Sequence, residues 1–230
     1  KPLVKNVLEA QEIHKALQKT KKKLQIGSNH RFFESVMFAK KLIASGELGE
    51  ILSFNGRIGH DGERIKDSWF MNKDLSGGGT LLDNGCHLLD LARYFMGEFN
   101  SGSGMISNNY WKNIDVEDTA YGLYKNLDGK TCSIFCSWRL HSGYLFIELN
   151  CTKGFIVIDG RFNNFATDKV YWLGKEGKLK NKDFSDIKPN SYQLEIENFI
   201  NNLKQNKKLS PDINDGLEIM KMIDIIYKKK

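Results

Sequence analysis

Residues 76–97 read Ser-Gly-Gly-Gly-Thr-Leu-Leu-Asp-Asn-Gly-Cys-His-Leu-Leu-Asp-Leu-Ala-Arg-Tyr-Phe-Met-Gly. Leu81, Leu82, Leu88, Leu89, Leu91, Ala92 and Phe95 recur at helical spacing, and Gly97 stands where a helix would stop. The stretch predicts a buried helix entered through a flexible turn. Asp83 and His87, four residues apart, project from one face of its first half, so a carboxylate and an imidazole meet one ligand or form a capping pair. Three successive glycines are costly unless the backbone must approach a ligand or another segment closely. Asp90, a turn further on, either continues that face or solvates it.

Outward from this helix the chain is ordinary in composition. Its formal charge of +6 comes from lysines gathered at 19–23, 175–182, 204–208 and 228–230, which read as solvated helix ends and turns. Without an aromatic-interleaved basic stripe, a nucleic-acid partner is not expected. Cys86, Cys132, Cys136 and Cys151 form no Cys-x-x-Cys pair and fall on apolar-patterned segments, so they read as buried free thiols in a reducing compartment. No run of about 18 apolar residues and no signal-like start is present, which predicts a cytoplasmic chain without a membrane partner.

Before the pivotal stretch, Leu3, Val4, Val7, Leu8, Ile13 and Leu17 mark an amphipathic helix, Leu24 to Ser28 a short strand, and Phe33, Val36, Met37, Leu42 and Ile43 a second helix. The period then changes: Leu52, Phe54, Ile58 and His60 alternate with polar residues as a half-buried strand does. Beyond the helix, Thr119 to Tyr124 and Thr131 to Trp138 flank Asn126-Leu127-Asp128-Gly129, a hairpin signal. Tyr144 to Cys151, Phe155 to Ile158 and Val170 to Leu173 add three strands. Two closing helices carry stripes at Tyr192, Ile196, Phe199, Ile200 and Leu203, and at Ile213, Leu217, Met220, Ile223 and Ile226, separated by Ser210-Pro211-Asp212. The expected fold is α+β: an open, mostly antiparallel mixed β-sheet of about five or six strands with helices on one face. The other face, with Tyr124, Phe135, Tyr144 and Phe146, is expected to meet a second subunit, giving a homodimer or homotetramer.

At four points in order the sequence resembles the Gfo/Idh/MocA oxidoreductases. Lys1-Pro2 looks like the end of their Glu-Lys-Pro motif, Asn29-His30-Arg31-Phe32 like their Arg-Phe segment, and Leu48-Gly49-Glu50-Ile51 like their approach to the sheet. The most specific match is Gly77 to His87, which looks like GGG-x-L-x-D-x-G-x-H. The resemblance implies a Rossmann domain followed by an open-sheet domain, yet the Gly-x-Gly-x-x-Gly turn and its ribose-binding acid are absent from this chain. Residues 1–29 are therefore expected to be the remnant, the last helix and strand, of a missing Rossmann domain, and residues 30–230 the C-terminal substrate-binding and oligomerisation domain.

The same resemblance implies NAD or NADP as cofactor and a sugar, sugar nucleotide or polyol as substrate. Carried over residue by residue, Lys1, Asp83 and His87 are the catalytic trio: His87 as base, Lys1 stabilising developing charge, Asp83 orienting a neighbouring hydroxyl and holding His87. A second cation nearby would lower the Lys1 pKa. Lys1, Pro2 and Trp69 are the cofactor contacts, with a packing anchor for the glycine turn as the other reading of Trp69. Arg31, His60, Asn84 and Trp138 are the substrate contacts; for Arg31 the alternative is a structural ion pair, and for His60 a hydrogen-bonded core histidine. A non-catalytic sugar-binding or assembly module is the competing function. A metal hydrolase using His60, Asp83 and His87 is weaker, since no further ligand cluster is visible and no metal is expected.

Overall fold

A computed structural model describes residues 1–108, 110–160 and 168–228; Lys229 and Lys230 of the basic tail lie outside them. Asn6 caps α1 (Val7–Gln18) by accepting from the Glu9 N–H. A 3₁₀ turn at Asn29–Phe32 leads into α2 (Glu34–Ala44), after which the period-two stretch forms β1 (Ile51–Gly59). A one-turn helix α3 (Lys73–Ser76), a π-helical turn at Leu81–Gly85 and α4 (Cys86–Met96) follow. Next come β2 (Ser101–Ser107), β3 (Thr119–Lys125), β4 (Thr131–Ser137), β5 (Tyr144–Cys151), β6 (Gly154–Asp159), β7 (Lys169–Leu173) and β8 (Leu179–Asp183). The chain closes with α5 (Ser191–Lys204) and α6 (Ile213–Tyr227).

The strands build one eight-stranded open sheet in the order β2-β3-β4-β1-β5-β6-β7-β8. The β1–β4 pair is parallel and the other six pairs are antiparallel. Phe54, Ile58, Ile134, Cys136, Leu145, Ile147 and Leu149 line the face covered by α2, α4 and α6. α4 is buried nearly all round, from Cys86 through Arg93, as its continuous apolar pattern requires. All four cysteines are buried and free.

Four details differ from the sequence expectation. Leu24–Ser28 is extended but joins no ladder; instead the Ile26 N–H donates to the Pro211 carbonyl. A register shift between Ile51 and Ser53 turns Ile51 inward and leaves Leu52 out. Tyr124 lies on the helix-covered face, its hydroxyl donating to the Met222 carbonyl, so the open face carries Met105, Tyr121, Leu123, Phe135 and Phe146 instead. In α5 the apolar stripe of Tyr192, Ile196, Ile200 and Leu203 faces solvent. Ser191 and Glu195 anchor that helix by accepting from the Asn29 side chain and the Ser28 N–H.

The triple glycine is explained by close approach to the chain itself. Gly77 has φ +84°, a Cβ on Gly78 would lie 2.1 Å from the Tyr227 hydroxyl, and one on Gly79 1.9 Å from the Glu117 carbonyl oxygen. The buried Glu117 carboxylate accepts from Gly79 N–H, Leu81 N–H and Tyr227 O–H at 2.9, 2.9 and 2.8 Å. This ties the turn to the last helix and sets where the π-turn begins. Gly79→Ala is expected to cost about 1–3 kcal/mol through overpacking against backbone that cannot yield. A urea midpoint equal to that of the parent chain would refute the close-approach account.

Candidate active site

Asp83 sits on the π-helical turn and His87 on the first turn of α4, which places their side chains at the same end of the buried helix. Asp83 is the hub. Its Oδ1 accepts from Lys1 Nζ at 3.0 Å, and its Oδ2 from Trp138 Nε1 at 3.1 Å and from Asn84 Nδ2 at 3.2 Å. Lys1 Nζ also donates to the Asp83 main-chain oxygen. His60 Nδ1 accepts from the Gly62 N–H, which puts the ring proton on Nε2, facing Asp83 Oδ2 at 3.8 Å. That separation is longer than a hydrogen bond. Burial pushes the Asp83 carboxyl up, but the facing His60, the Lys1 ammonium and the Trp138 N–H together hold it down at about 2.

Lys1 does not follow the expected direction. Burial pulls its ammonium down, yet the neighbouring Cys86 and Asp83 more than offset this and its pKa is raised. The ammonium is therefore charged at neutral pH, because a carboxylate and not a second cation is its main polar partner.

A cavity of about 360 Å³ opens beside this hub, with Lys1, Asn84 and His87 on one side and Pro189, Ser191 and Tyr192 at the start of α5 on the other. Its floor is Asn29, His30 and Phe33. The His87 imidazole is stacked on that of His30, with centroids 3.7 Å apart and planes 12° apart. Burial, then the neighbouring His30 and Lys1, lower the His87 pKa well below the ordinary range. The same causes, burial and Lys1, bring His30 to about 3. Both rings are neutral at pH 7. Among the described residues no hydrogen bond joins Asp83 to His87, so Asp83 positions Lys1 and not the imidazole.

The remaining sequence candidates separate from the cavity. Arg31 does not line it: its guanidinium forms a buried fork on Asp90, with Nε and Nη2 donating at 2.8 and 2.6 Å, and Nη1 donates to Ser210 Oγ at 2.9 Å. The ion-pair alternative holds for Arg31, and Asp90 neither continues the face of Asp83 and His87 nor solvates it. Consecutive residues of a 3₁₀ turn point about 120° apart, so His30 enters the cavity while Arg31 turns to α4. Trp138 is fully buried with Met71 and Val116, which leaves it a role in orienting Asp83 and none as a sugar platform. Trp69 is 55% exposed and stacks on Phe70 at 4.2 Å, while Met71 is buried with Val116 and Trp138. The residues that sequence reading missed are His30 and the Pro189–Tyr192 edge. His30 lay inside the Asn29–Phe32 segment already singled out, while the α5 edge carries no local pattern that marks a pocket.

Among the described residues no group of three or more His, Cys, Asp and Glu side chains is placed to hold a metal ion, and no helix is long and apolar enough to cross a membrane.

The buried neutral imidazoles make acid stability a direct readout of the site. As pH falls below about 6.5 the unfolded chain binds protons at His30 and His87 that the folded chain refuses, so each removes about 1.4 kcal/mol per pH unit. Burial raises the Asp168 carboxyl to about 6 and also lifts those of Asp90, Glu117 and Glu195, so the folded state binds protons at these groups before the unfolded chain does and regains stability over part of the same range. From pH 6.5 to 5.5 a net loss of about 1 kcal/mol is expected in urea unfolding, and a flat or rising profile would contradict neutral burial of both rings.

Comparison with known proteins identifies the family and the fold. Residues 36–157 match the GFO/IDH/MocA C-terminal domain model. The chain is 26% identical over 188 residues to levoglucosan dehydrogenase of Pseudarthrobacter phenanthrenivorans, covering 69% of this chain and 48% of that protein. To inositol 2-dehydrogenase of Rhizobium meliloti it is 24% identical over 219 residues, covering 91% of this chain and 63% of the relative. The chain thus spans roughly half to two thirds of these relatives. In fold it matches levoglucosan dehydrogenase solved with NADH and levoglucosan, with a TM-score of 0.88 at 23% identity over 99% of this chain and 70% of that one. With the domain model matched over more than half of its length and the glycine turn, Asp83 and His87 inside the matched span, the chain belongs to the GFO/IDH/MocA family.

Proposed function

We propose that this chain is the substrate-binding part of an NAD(P)-dependent oxidoreductase that acts on a hydroxyl-bearing carbon of a sugar, sugar nucleotide or polyol. The observation that carries the reading is one cavity edged by a neutral imidazole, His87, and a charged ammonium, Lys1, fixed by an ionised carboxylate, Asp83. A neutral imidazole can take the hydroxyl proton as the carbon is oxidised. The ammonium offsets charge developing on the same oxygen, and Asp83 and Asn84 present polar atoms to an adjacent hydroxyl. The similarity to levoglucosan dehydrogenase and inositol 2-dehydrogenase supports this substrate class.

The nicotinamide, when bound, accepts the hydride. Lys1 in the cavity wall, with Pro2 next to it in the chain, fits only its reactive end, and Trp69 stands exposed for a flank of it. A phosphate-cradling Gly-x-Gly-x-x-Gly is not in the sequence, and a cavity of about 360 Å³ suits a monosaccharide and not a whole dinucleotide. Residues 1–29 therefore read as the tail of a nucleotide-binding domain and 30–230 as the substrate domain. The exposed apolar stripe of α5 beside the cavity suits cover by such a domain. The open sheet face, with Met105, Tyr121, Leu123, Phe135 and Phe146, is the proposed subunit interface. A monomer in sedimentation at micromolar concentration would count against it.

The test of function is nicotinamide reduction by the natural full-length protein with a panel of sugars, sugar nucleotides and polyols, using NAD and NADP in parallel. Turnover with one class that disappears in His87→Ala supports the reading. No turnover on any member would sink it.

A further inference from the structure

We propose that His30 is a positioning residue for the base: laid flat on His87, its ring fixes the plane of that imidazole and shields one face of it from water. The geometry is that of a built stack. The two imidazoles are 3.7 Å and 12° apart, and the Phe33 ring also packs against His30, tilted by 36° with centroids 4.4 Å apart. Both histidines are buried, at 5% and 7% exposure, yet both border the cavity. Neither position is free to drift. His30 is held on the 3₁₀ turn by the neighbouring Arg31 fork on Asp90, and His87 is on α4, the helix that carries Asp90.

The stack bears on the reaction through water and charge. Two imidazolium rings in face-to-face contact repel, and a ring sandwiched between protein surfaces has lost the hydration that a cation needs. Lys1, with its ammonium and its amine, also disfavours a cationic His87; Asp83 and Cys86 lie on the same helical stretch, and Tyr192 faces it from α5. Of these, His30 is in ring contact with His87. Removing the His30 ring opens one face of His87 to water while leaving Lys1 and Asp83 in place.

The inference rests on the reading of His87 as the base, so the first measurement is independent of activity. In the chain itself, NMR of histidine ring protons is expected to show the His87 resonances displaced upfield by the His30 ring current, and their absence from that position would overturn the stack. His30→Asn is expected to raise the His87 pKa by at least one unit, a tenfold change in its proton affinity, whereas His30→Phe keeps a flat ring and leaves His87 neutral. Should His30→Asn fail to fold, the ring-current measurement and His30→Phe still decide. A His87 that titrates in the ordinary range in His30→Phe would overturn the shielding role.

In the full-length protein the acid limb of kcat should move upward in His30→Asn and return in His30→Phe, with KM little changed. An altered His87 titration without a shifted kcat profile would leave the stack standing and remove His87 from the base role. An unaltered titration would overturn the proposal, whatever the enzyme does.

Discussion

Replacing His87 by alanine in the full-length protein is expected to lower kcat for sugar oxidation by about 10²–10⁴-fold, the usual contribution of a positioned general base. On the proposed roles the loss falls on kcat more than on KM, because the proton would pass to the ring only as the carbon is oxidised, and Lys1, Asp83 and Asn84 would still hold substrate. The burial that lowers the His87 pKa also sets the pH dependence. A base must be deprotonated to act, and activity is lost as pH falls through its folded pKa. Since that value lies well below 6.5, no acid limb from this group is expected near the ordinary histidine range. Steady-state rates across pH, with circular dichroism showing the variant folded, check both parts. A variant within threefold of the parent, or a wild-type limb near 6.5 traced to His87, would remove the imidazole from the proton path.

What could be read without coordinates follows a physical divide. Apolar periodicity is a local code, so α4, its glycine-fed start and the six strands with β-branched or aromatic runs were legible. Two strands were not. β2, Ser-Gly-Ser-Gly-Met-Ile-Ser, is glycine-rich and reads as a loop; β8, Leu-Lys-Asn-Lys-Asp, is charged and reads as a surface turn. Both are edge strands, where polar and small residues are favoured because one side of the ladder has no partner. The α5 stripe shows the converse limit, since periodicity reveals which residues want cover and not what supplies it.

The site divides in the same way. Asp83 and His87 share a helical stretch, so spacing alone brought them together. Lys1 required the family resemblance, because 82 residues separate it from the carboxylate it pairs with. For Arg31 the sequence left a substrate contact and a structural ion pair both open, because the direction of a side chain on a 3₁₀ turn is settled by what each side packs against. A buried carboxylate on α4 captured the guanidinium, and the imidazole was left to the cavity. Trp138 was expected to offer an aromatic face to a sugar, but the strand places the ring in the core and only its N–H reaches Asp83.

That capture leads to the second large effect. Asp90→Asn is expected to destabilise the fold by about 3–5 kcal/mol, the cost of leaving a buried guanidinium without its counter-charge. Arg31 and Asp90 are 6% and 2% exposed, and the Arg31 cation also packs on Tyr94 at 4.9 Å. The intact pair itself adds little net stability. Burial pushes the Asp90 carboxyl above its usual value although Arg31 opposes it, the direction expected where desolvation offsets the attraction within a buried pair. A double replacement, Arg31→Met with Asp90→Leu, is therefore expected to recover at least half of the single-variant loss in urea unfolding. What the pair supplies is position: it clamps the turn that carries His30 to the helix that carries His87, so the double variant should regain stability while its His30–His87 ring-current shift weakens. A double variant as unstable as Asp90→Asn would show that the pair is a true source of stability, and one that keeps the full ring-current shift would show that the stack needs no clamp.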